Sequence, residues 1–579
     1  MAARLSSRAT YGIMRLPVVL RWAAAYTPPM ALGARRIPAF SLYCIVLAAV
    51  LLAALAIRLD SVAFSLPALT DQDELMFELG AYRMIDGGQL NPQWFGHPAT
   101  TTMYLLALID VAVLGLGLAT GRFVSVEGFA EAIYADPGIL VLPHRIAIVL
   151  VAVAGIALAC RLATRLFGRP TGLATAAILA VSPVHIAYSQ VVRSDMMATV
   201  FMLAGMLCAL VYGRGGTLRS LAAGVLCVAL AITTKWPFAL SFLSLAGVLV
   251  LRWRSGVEAG RRTFVLLAAA AAGTLAAMIV ISPFLIINWN TVVANLYGEV
   301  QPYHLSATGG GLLDNAWWYA SGPFPRALGV AGLALAAFGA VTAARSREFV
   351  AVTLVPGIAM FVLASSQNIV WERWILAVVP LLAMLAGLAL VRIAAWLGTA
   401  LRPTATPLAA SLLLAATLVP LLLGTLADGR ERMNDTRVMA SAWLRANSAS
   451  GSSIFVEHFA FDLLDSEFDL VFPLGTLGCK DARGLLAGRV DNSLVESARG
   501  GRTNIDYGTV AHDRIDTCRA DYAVLSQHAR YAAEQERFPR EWAQYRELIA
   551  RGQTVAEFLP ERGVTGGWPV VILRFPSVE

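Results

Sequence analysis

PATTTMYLLALIDVAVLGLGLAT, Pro98–Thr120, is the stretch on which the fold turns. It reaches the length of about 20 apolar residues that a helix needs to cross a bilayer. If it crosses, every later span is inverted. Asp110 stands in its middle, and a carboxylate there is costly against lipid. The arginines decide the matter. Suppose the segment does not cross and the N-terminus is cytoplasmic. Then Arg161, Arg165 and Arg169 share a cytoplasmic loop, as do Arg214 and Arg219, and then Arg252, Arg254, Arg261 and Arg262. Arg345 and Arg347 follow, then Arg392 and Arg402. On the other side, Pro283–Pro325 holds no lysine or arginine. This is the positive-inside pattern, and the opposite choice would put nearly every basic loop outside. Pro98–Thr120 is therefore expected to lie in or against the outer interface.

The rest of the composition agrees with a polytopic α-helical membrane protein. The chain has 579 residues, of which 58% are hydrophobic and 14% charged. About 11 spans are expected, near 38–57, 143–160, 172–189, 196–213, 220–237, 238–252, 263–284, 327–343, 349–366, 373–392 and 407–427. The net charge of +7 is carried by arginine, because Lys235 and Lys480 are the only lysines. Such an excess holds cytoplasmic loops on an anionic leaflet. No basic stripe alternates with aromatics, so nucleic acid is not expected as a partner. Residues 1–37 read as a basic cytoplasmic segment before an uncleaved first span. Cys44, Cys160, Cys208 and Cys227 sit in or beside apolar runs as small hydrophobes.

With this topology, the membrane domain covers about 38–427 and two loops face outward. The first, about 59–142, contains Asp71-Gln-Asp-Glu74 and an amphipathic stretch with Leu75, Leu79, Tyr82 and Ile85. That spacing suits a helix lying flat on the membrane. The second, about 288–326, is rich in Trp, Tyr and Gly and includes Glu299, His304 and Trp317-Trp-Tyr319. After about Leu426 the composition becomes polar. A helix at 435–445 and strands at Ser453–Glu457, Tyr522–Ser526 and Val570–Arg574 predict a small soluble α/β domain over 428–579, on the outer side. If that side is oxidising, Cys479 and Cys518 can pair; two free thiols are the other reading.

Three carboxylates in four residues at a membrane boundary read either as a solvated acidic loop or as chemistry. The topology gathers Arg145, Arg193, Asp195, Lys235 and Arg373 on the same outer face. Each has a plain explanation alone, such as snorkelling for Arg145 and Arg373 or a local pair for Arg193 with Asp195. Together they describe a site. Cations at the interface hold a phosphate whose lipid tail stays in the bilayer. A carboxylate beside it accepts a proton from an attacking hydroxyl, and the cations stabilise the phosphate as it leaves. No Gly-rich nucleotide loop is present, which favours a lipid-linked sugar donor over a nucleotide sugar.

From about Ile37 to Gly387 the chain resembles the GT-C membrane glycosyltransferases of the protein O-mannosyltransferase type, and is similar to the bacterial transferases that modify lipid A with aminoarabinose. The resemblance rests on Asp73-Glu74, Gly96-His-Pro98, Arg193-Ser-Asp195, Thr234-Lys-Trp236, Ser282-Pro283, Trp317-Trp-Tyr319 and Glu372-Arg-Trp374, in that order relative to the spans. It implies juxtamembrane helices in the first outer loop, Asp73 as catalytic base with Glu74 beside it, and a carrier phosphate held by Lys235, Arg373, Arg193 and Arg145, with His97 alongside. Asp71, Asp195, Glu299 and His304 are further pocket candidates. The implied reaction is inverting transfer from a polyprenyl-phosphate sugar to a hydroxyl of a lipid, glycan or protein on the periplasmic face of a bacterial inner membrane. The second loop is far too short for the β-rich domain of the eukaryotic protein mannosyltransferases, so a protein acceptor is not specifically implied. No cofactor is required; a divalent cation on Asp71, Asp73, Glu74, His97 and His304 stays open. The rival reading is a transporter or flippase for a lipid-linked or envelope substrate, although the repeats common in transporters are not evident.

Overall fold

The computed structural model describes residues 39–400, 405–457, 461–486 and 505–576. The basic segment expected at 1–37 lies outside them. The chain divides into Met1–Ile45, whose described part is the start of a helix, and Val46–Glu579, which holds everything that follows.

Among the described residues, ten helices are long and apolar enough to cross a membrane. Nine coincide with expected spans. The span expected at 172–189 is instead a helix of 12 residues, Arg169–Ala180, followed by a turn and the short helix Pro183–Ala187. Ser182-Pro183 breaks the run, since proline supplies no amide hydrogen to continue it. The one expected at 220–237 is Leu218–Thr234, which ends where Lys235 adopts an extended conformation. Small residues let the helices close up. Gly339 of Pro323–Ala343 lies against the Leu385 backbone of Val379–Ala400, where any side chain would collide.

The tenth long helix is Thr100–Ala119, the disputed stretch. Its length allows crossing, but its contacts run across the ends of other helices. Thr100 Oγ1 meets Ser282 Oγ at 2.9 Å, just past Gly260–Ile281, and Thr101 meets Thr234, the last residue of its helix. Asp110 lies 2.8 Å from His144 Nε2, in the second turn of Gly138–Phe167. Beyond Gly117, Phe123 and Phe129 pack on Leu140, in the first turn of the same helix. The helix therefore spans one end of the bundle, and the objection that Asp110 would face lipid is met by His144.

Gln72–Asp86 lies at this same end. Asp71 is its N-cap, accepting from the Asp73 amide at 3.1 Å, and Asp73 and Glu74 occupy the first turn. Carboxylates there meet the positive end of the helix dipole. Leu75, Met76, Leu79, Tyr82 and Ile85 form its exposed face. Phe77, Ala81 and Met84 point inward onto Met103 and Leu106. The helix thus has the amphipathic form that the spacing predicts.

The last membrane helix, Ala405–Met433, leads into a helix over Thr436–Asn447 and a six-stranded sheet. The strands are β1 (Ser453–Val456), β2 (Asp469–Pro473), β3 (Cys479–Asp481), β4 (Tyr522–Leu525), β5 (Gln553–Phe558) and β6 (Val570–Arg574), in the order β3-β2-β1-β4-β6-β5. β1 runs parallel to β2 and β4, and the outer pairs are antiparallel. Cys479 and Cys518 are joined in a disulfide. Several clips tie this domain to the bundle, among them the Gly566 amide donating to the Glu431 carbonyl of the last membrane helix at 2.9 Å. Arg437 Nη1 donates to the Thr70 carbonyl at 3.1 Å, next to Asp71. Leu305 of the second loop is buried in the core of the sheet domain, and Arg530 donates to its carbonyl at 2.7 Å.

Candidate active site

The acids of the first loop meet three arginines. Arg193, the N-cap residue of Ser194–Gly215, donates Nη2 and Nε to the two oxygens of Asp71 at 2.6 and 3.2 Å. Its Nη1 also pairs with Asp73. Arg373 approaches the same oxygen, Asp73 Oδ2, with Nη2 at 3.6 Å, too far for a hydrogen bond. The Arg373 guanidinium stacks over Trp371 at 4.5 Å, and its buried Nε–H has no acceptor. Asp73 keeps 35% of its side chain exposed. Burial alone pushes its carboxyl up, but Arg193 and Arg373 outweigh that and hold it below the usual carboxylate range.

Glu74 turns the other way. It is fully buried, and Arg145 forks onto it with Nε at 2.8 Å and Nη2 at 2.7 Å. The Val192 amide adds a third bond at 2.9 Å. Arg145 Nη1 donates to the Val62 and Phe64 carbonyls at 3.0 and 2.8 Å, and the guanidinium lies 3.9 Å over the Phe64 ring. The structure therefore does not bring Arg145 to the open face with the other cations.

Lys235 and Asp195 form a buried pair at 2.6 Å, leaving Asp195 Oδ2 without a donor. Lys235 is fixed because its extended backbone pairs with Pro98, with the Trp236 amide donating to the His97 carbonyl at 3.0 Å. This short ladder places His97 beside Lys235. Burial, with Lys235 and Arg373 nearby, lowers His97 to about 3, so its imidazole is neutral. His97 faces Glu299 across 3.9 Å. Gly96 makes room for that carboxylate, since a Cβ there would lie 2.6 Å from Glu299 Oε1. Burial raises Glu299, and Asp73 adds to the effect against Lys235. His304 stands one layer back, packed edge-on against Trp371.

Asp71, Asp73, Asp195, Lys235, Arg193, Arg373, His97 and Glu299 thus share one cluster, with His304 at its edge. Glu74 and Arg145 lie beneath it, and Cys479 and Cys518 are in the sheet domain. The donor set considered for a divalent ion is not assembled around one point, because Arg145 takes Glu74 and Arg193 takes Asp71 and Asp73. A different group, Glu78, Asp110 and His144, comes together below, with His144 Nδ1 2.7 Å from Glu78. Sequence reading missed this group. The available signal was Glu78 one helical turn from Glu74, with His144 next to Arg145. It also missed Arg326, which bridges Glu372 at 2.5 Å and Asp428 at 2.7 Å. Nothing in the local sequence marks that bridge.

Chemically, the cluster offers a half-exposed carboxylate between two guanidiniums, one with unspent donors, beside a buried lysine. The bundle has the architecture of known sugar transferases. The apo crystal structure of ArnT from Cupriavidus metallidurans matches with a TM-score of 0.51 at 15% identity, covering 93% of this chain and 98% of that one. The apo oligosaccharyltransferase of Archaeoglobus fulgidus matches with a TM-score of 0.51 at 13% identity, covering 88% and 73%. The expected GT-C membrane fold with a small C-terminal sheet domain is therefore borne out. No curated protein sequence matches the chain. Residues 101–436, more than half of the chain, match the model of the Alg9-like mannosyltransferases. The protein is a glycosyltransferase, and it belongs to the Alg9-like mannosyltransferase family.

Proposed function

We propose that the protein moves a sugar from a polyprenyl-phosphate carrier to an acceptor hydroxyl with inversion, using Asp73 as general base. The observation that carries this reading is Asp73 itself, half-exposed between Arg193 and an Arg373 whose donors are not all used. The acceptor O–H gives its proton to the Asp73 carboxylate as its oxygen attacks the sugar C1. The bond from C1 to the phosphate oxygen breaks, and the electron pair leaves with the polyprenyl phosphate. Arg373 meets the growing charge, helped by Arg193 and Lys235, where fixed cations act most strongly. Glu74 and Arg145 position this surface from below, and His97 contributes a neutral hydrogen-bonding ring.

In the empty site Asp73 is a weak base, because the guanidiniums hold its pKa low. A bound phosphate competes for both and frees the carboxylate. Its basicity then rises only when the donor is in place, which suits general base catalysis. The site faces the periplasm of a bacterial inner membrane in this reading. Support comes from the arginines at the opposite helix ends and from the Cys479–Cys518 disulfide in a domain clipped to Thr70. The acceptor is a lipid, glycan or protein hydroxyl of the envelope.

The test compares membranes from cells carrying wild type or Asp73→Asn at equal expression. Mass spectrometry of lipids, envelope polysaccharide and extracytoplasmic proteins should find a sugar modification in the wild type that falls at least about 100-fold in the variant. Persistence of the modification in the variant would remove Asp73 from the chemistry.

A further inference from the structure

The end of the bundle away from Asp73 has a feature that the transfer reaction does not use. The helix Phe242–Arg254 meets the segment Arg347–Leu354 where Gly247 abuts Ala351. A Cβ on Gly247 would lie 2.6 Å from the Ala351 carbonyl oxygen. Beside that contact, Ser244 Oγ donates to the Val352 carbonyl at 2.7 Å. Towards the basic end the two elements leave a crevice of about 580 Å³. Val250, Leu251 and Val350 form its apolar walls, and Arg254 and Arg347 line it as well.

These two arginines differ from their neighbours. Glu258 takes Arg252 at 3.0 Å and Arg262 at 3.8 Å, and Glu348 takes Arg214 at 2.6 Å. Among the described residues, Arg254 and Arg347 have no side-chain hydrogen bond or ion pair. A second crevice at this end, of about 270 Å³, is lined by Arg165 and Arg214, but Glu348 already holds Arg214. The larger crevice therefore combines two free guanidinium forks with an apolar wall at a helix end.

We propose that this crevice binds the phosphodiester headgroup of an anionic phospholipid. Arg254 and Arg347 grip the phosphate oxygens, as guanidinium forks do. The first carbons of an acyl chain lie along Val250, Leu251 and Val350. The charge match selects the ligand, because unpaired basic residues between membrane helices attract anionic headgroups. The assignment is independent of the transferase reading.

The test uses the full-length protein in lipid nanodiscs, released and read by native mass spectrometry. Wild type should retain one phosphatidylglycerol at least about fivefold in preference to phosphatidylcholine. The double variant Arg254→Gln, Arg347→Gln should lose that preference. Arg261→Gln removes an exposed charge outside the crevice and should keep it. Val250→Phe fills the crevice while leaving both arginines, and should lose it. Size-exclusion profiles matched to wild type exclude misfolding. An unchanged preference in the double variant, or an equal loss in Arg261→Gln, overturns the site. Displacement of phosphatidylglycerol by millimolar inorganic phosphate would mean a site for free phosphate and overturn the lipid assignment.

Discussion

Glu74 and Asp73 are adjacent in the first turn of one helix, and each meets an arginine, yet their surroundings differ. Glu74 and Arg145 are both fully buried, and the pair uses both carboxylate oxygens, the Val192 amide and two backbone carbonyls. No side-chain nitrogen or oxygen of the pair lacks a partner. Asp73 is partly open, shares Arg193 with Asp71, and faces Arg373 at a distance beyond a hydrogen bond. A buried charge pair with every polar atom partnered is a scaffold, since removing one partner strands the other in low dielectric. A mismatched pair open to solvent can be rearranged by a ligand. The helical turn thus gives neighbouring carboxylates opposite tasks by pointing one in and one out.

The largest effect separating them should come from Arg145→Ala. It leaves Glu74 buried without its cation, at a cost of about 3–5 kcal/mol. Thermal unfolding in detergent should show a marked drop, with loss of the monodisperse fraction, and Glu74→Gln added to it should restore part of that loss. A variant as stable as wild type would break the comparison. Arg373→Gln should act on the other pair. The kcat/KM for the carrier should fall about tenfold, the loss of about 1.4 kcal/mol, while the melting temperature stays put. A melting shift without a change in kcat/KM would make Arg373 structural. The smallest effect is a displacement on the pH axis. Asp73 is held below the usual carboxylate range in the free enzyme, so it remains ionised until the pH falls through that lowered value. The acid limb of kcat/KM should therefore lie below about 4, while the limb for kcat, reporting the loaded site, lies higher. Coincident limbs would mean that the phosphate does not relieve Asp73.

Much of the membrane architecture was legible because hydrophobic length and arginine placement obey the bilayer. The face of Gln72–Asp86 was legible too, from Leu75, Leu79, Tyr82 and Ile85. The broken helix at 169–187 was harder, because Pro183 lies inside an otherwise apolar run and only tertiary packing fixes where the chain turns. Strands β2, β3 and β5 were missed; β3 has three residues and β5 is an edge strand with exposed polar positions, so neither alternates clearly. In the site, residue types gathered at one end of the helices pointed to the cluster of Asp73, Arg193, Lys235 and Arg373. They could not tell that Arg145 points inward, because a guanidinium at a helix start reads the same whether it meets solvent or a buried Glu74. The group of Glu78, Asp110 and His144 left only a weak signal, the spacing of Glu78 from Glu74 and of His144 from Arg145, because its members come from three separate helices.

The clip at Leu305 carries a mechanical consequence. Glu299 lies beside His97, and the chain reaches the sheet domain only six residues later, where Leu305 is buried and the Ser306 amide donates to Glu534 at 2.6 Å. So short a tether transmits displacement. A molecule that pushed Glu299 aside would pull on the Leu305 anchorage once the chain between them was taut, and the sheet domain would then act as a strain gauge for occupancy of the site. A fluorophore on that domain, away from any substrate, would then register each filling and emptying of the site.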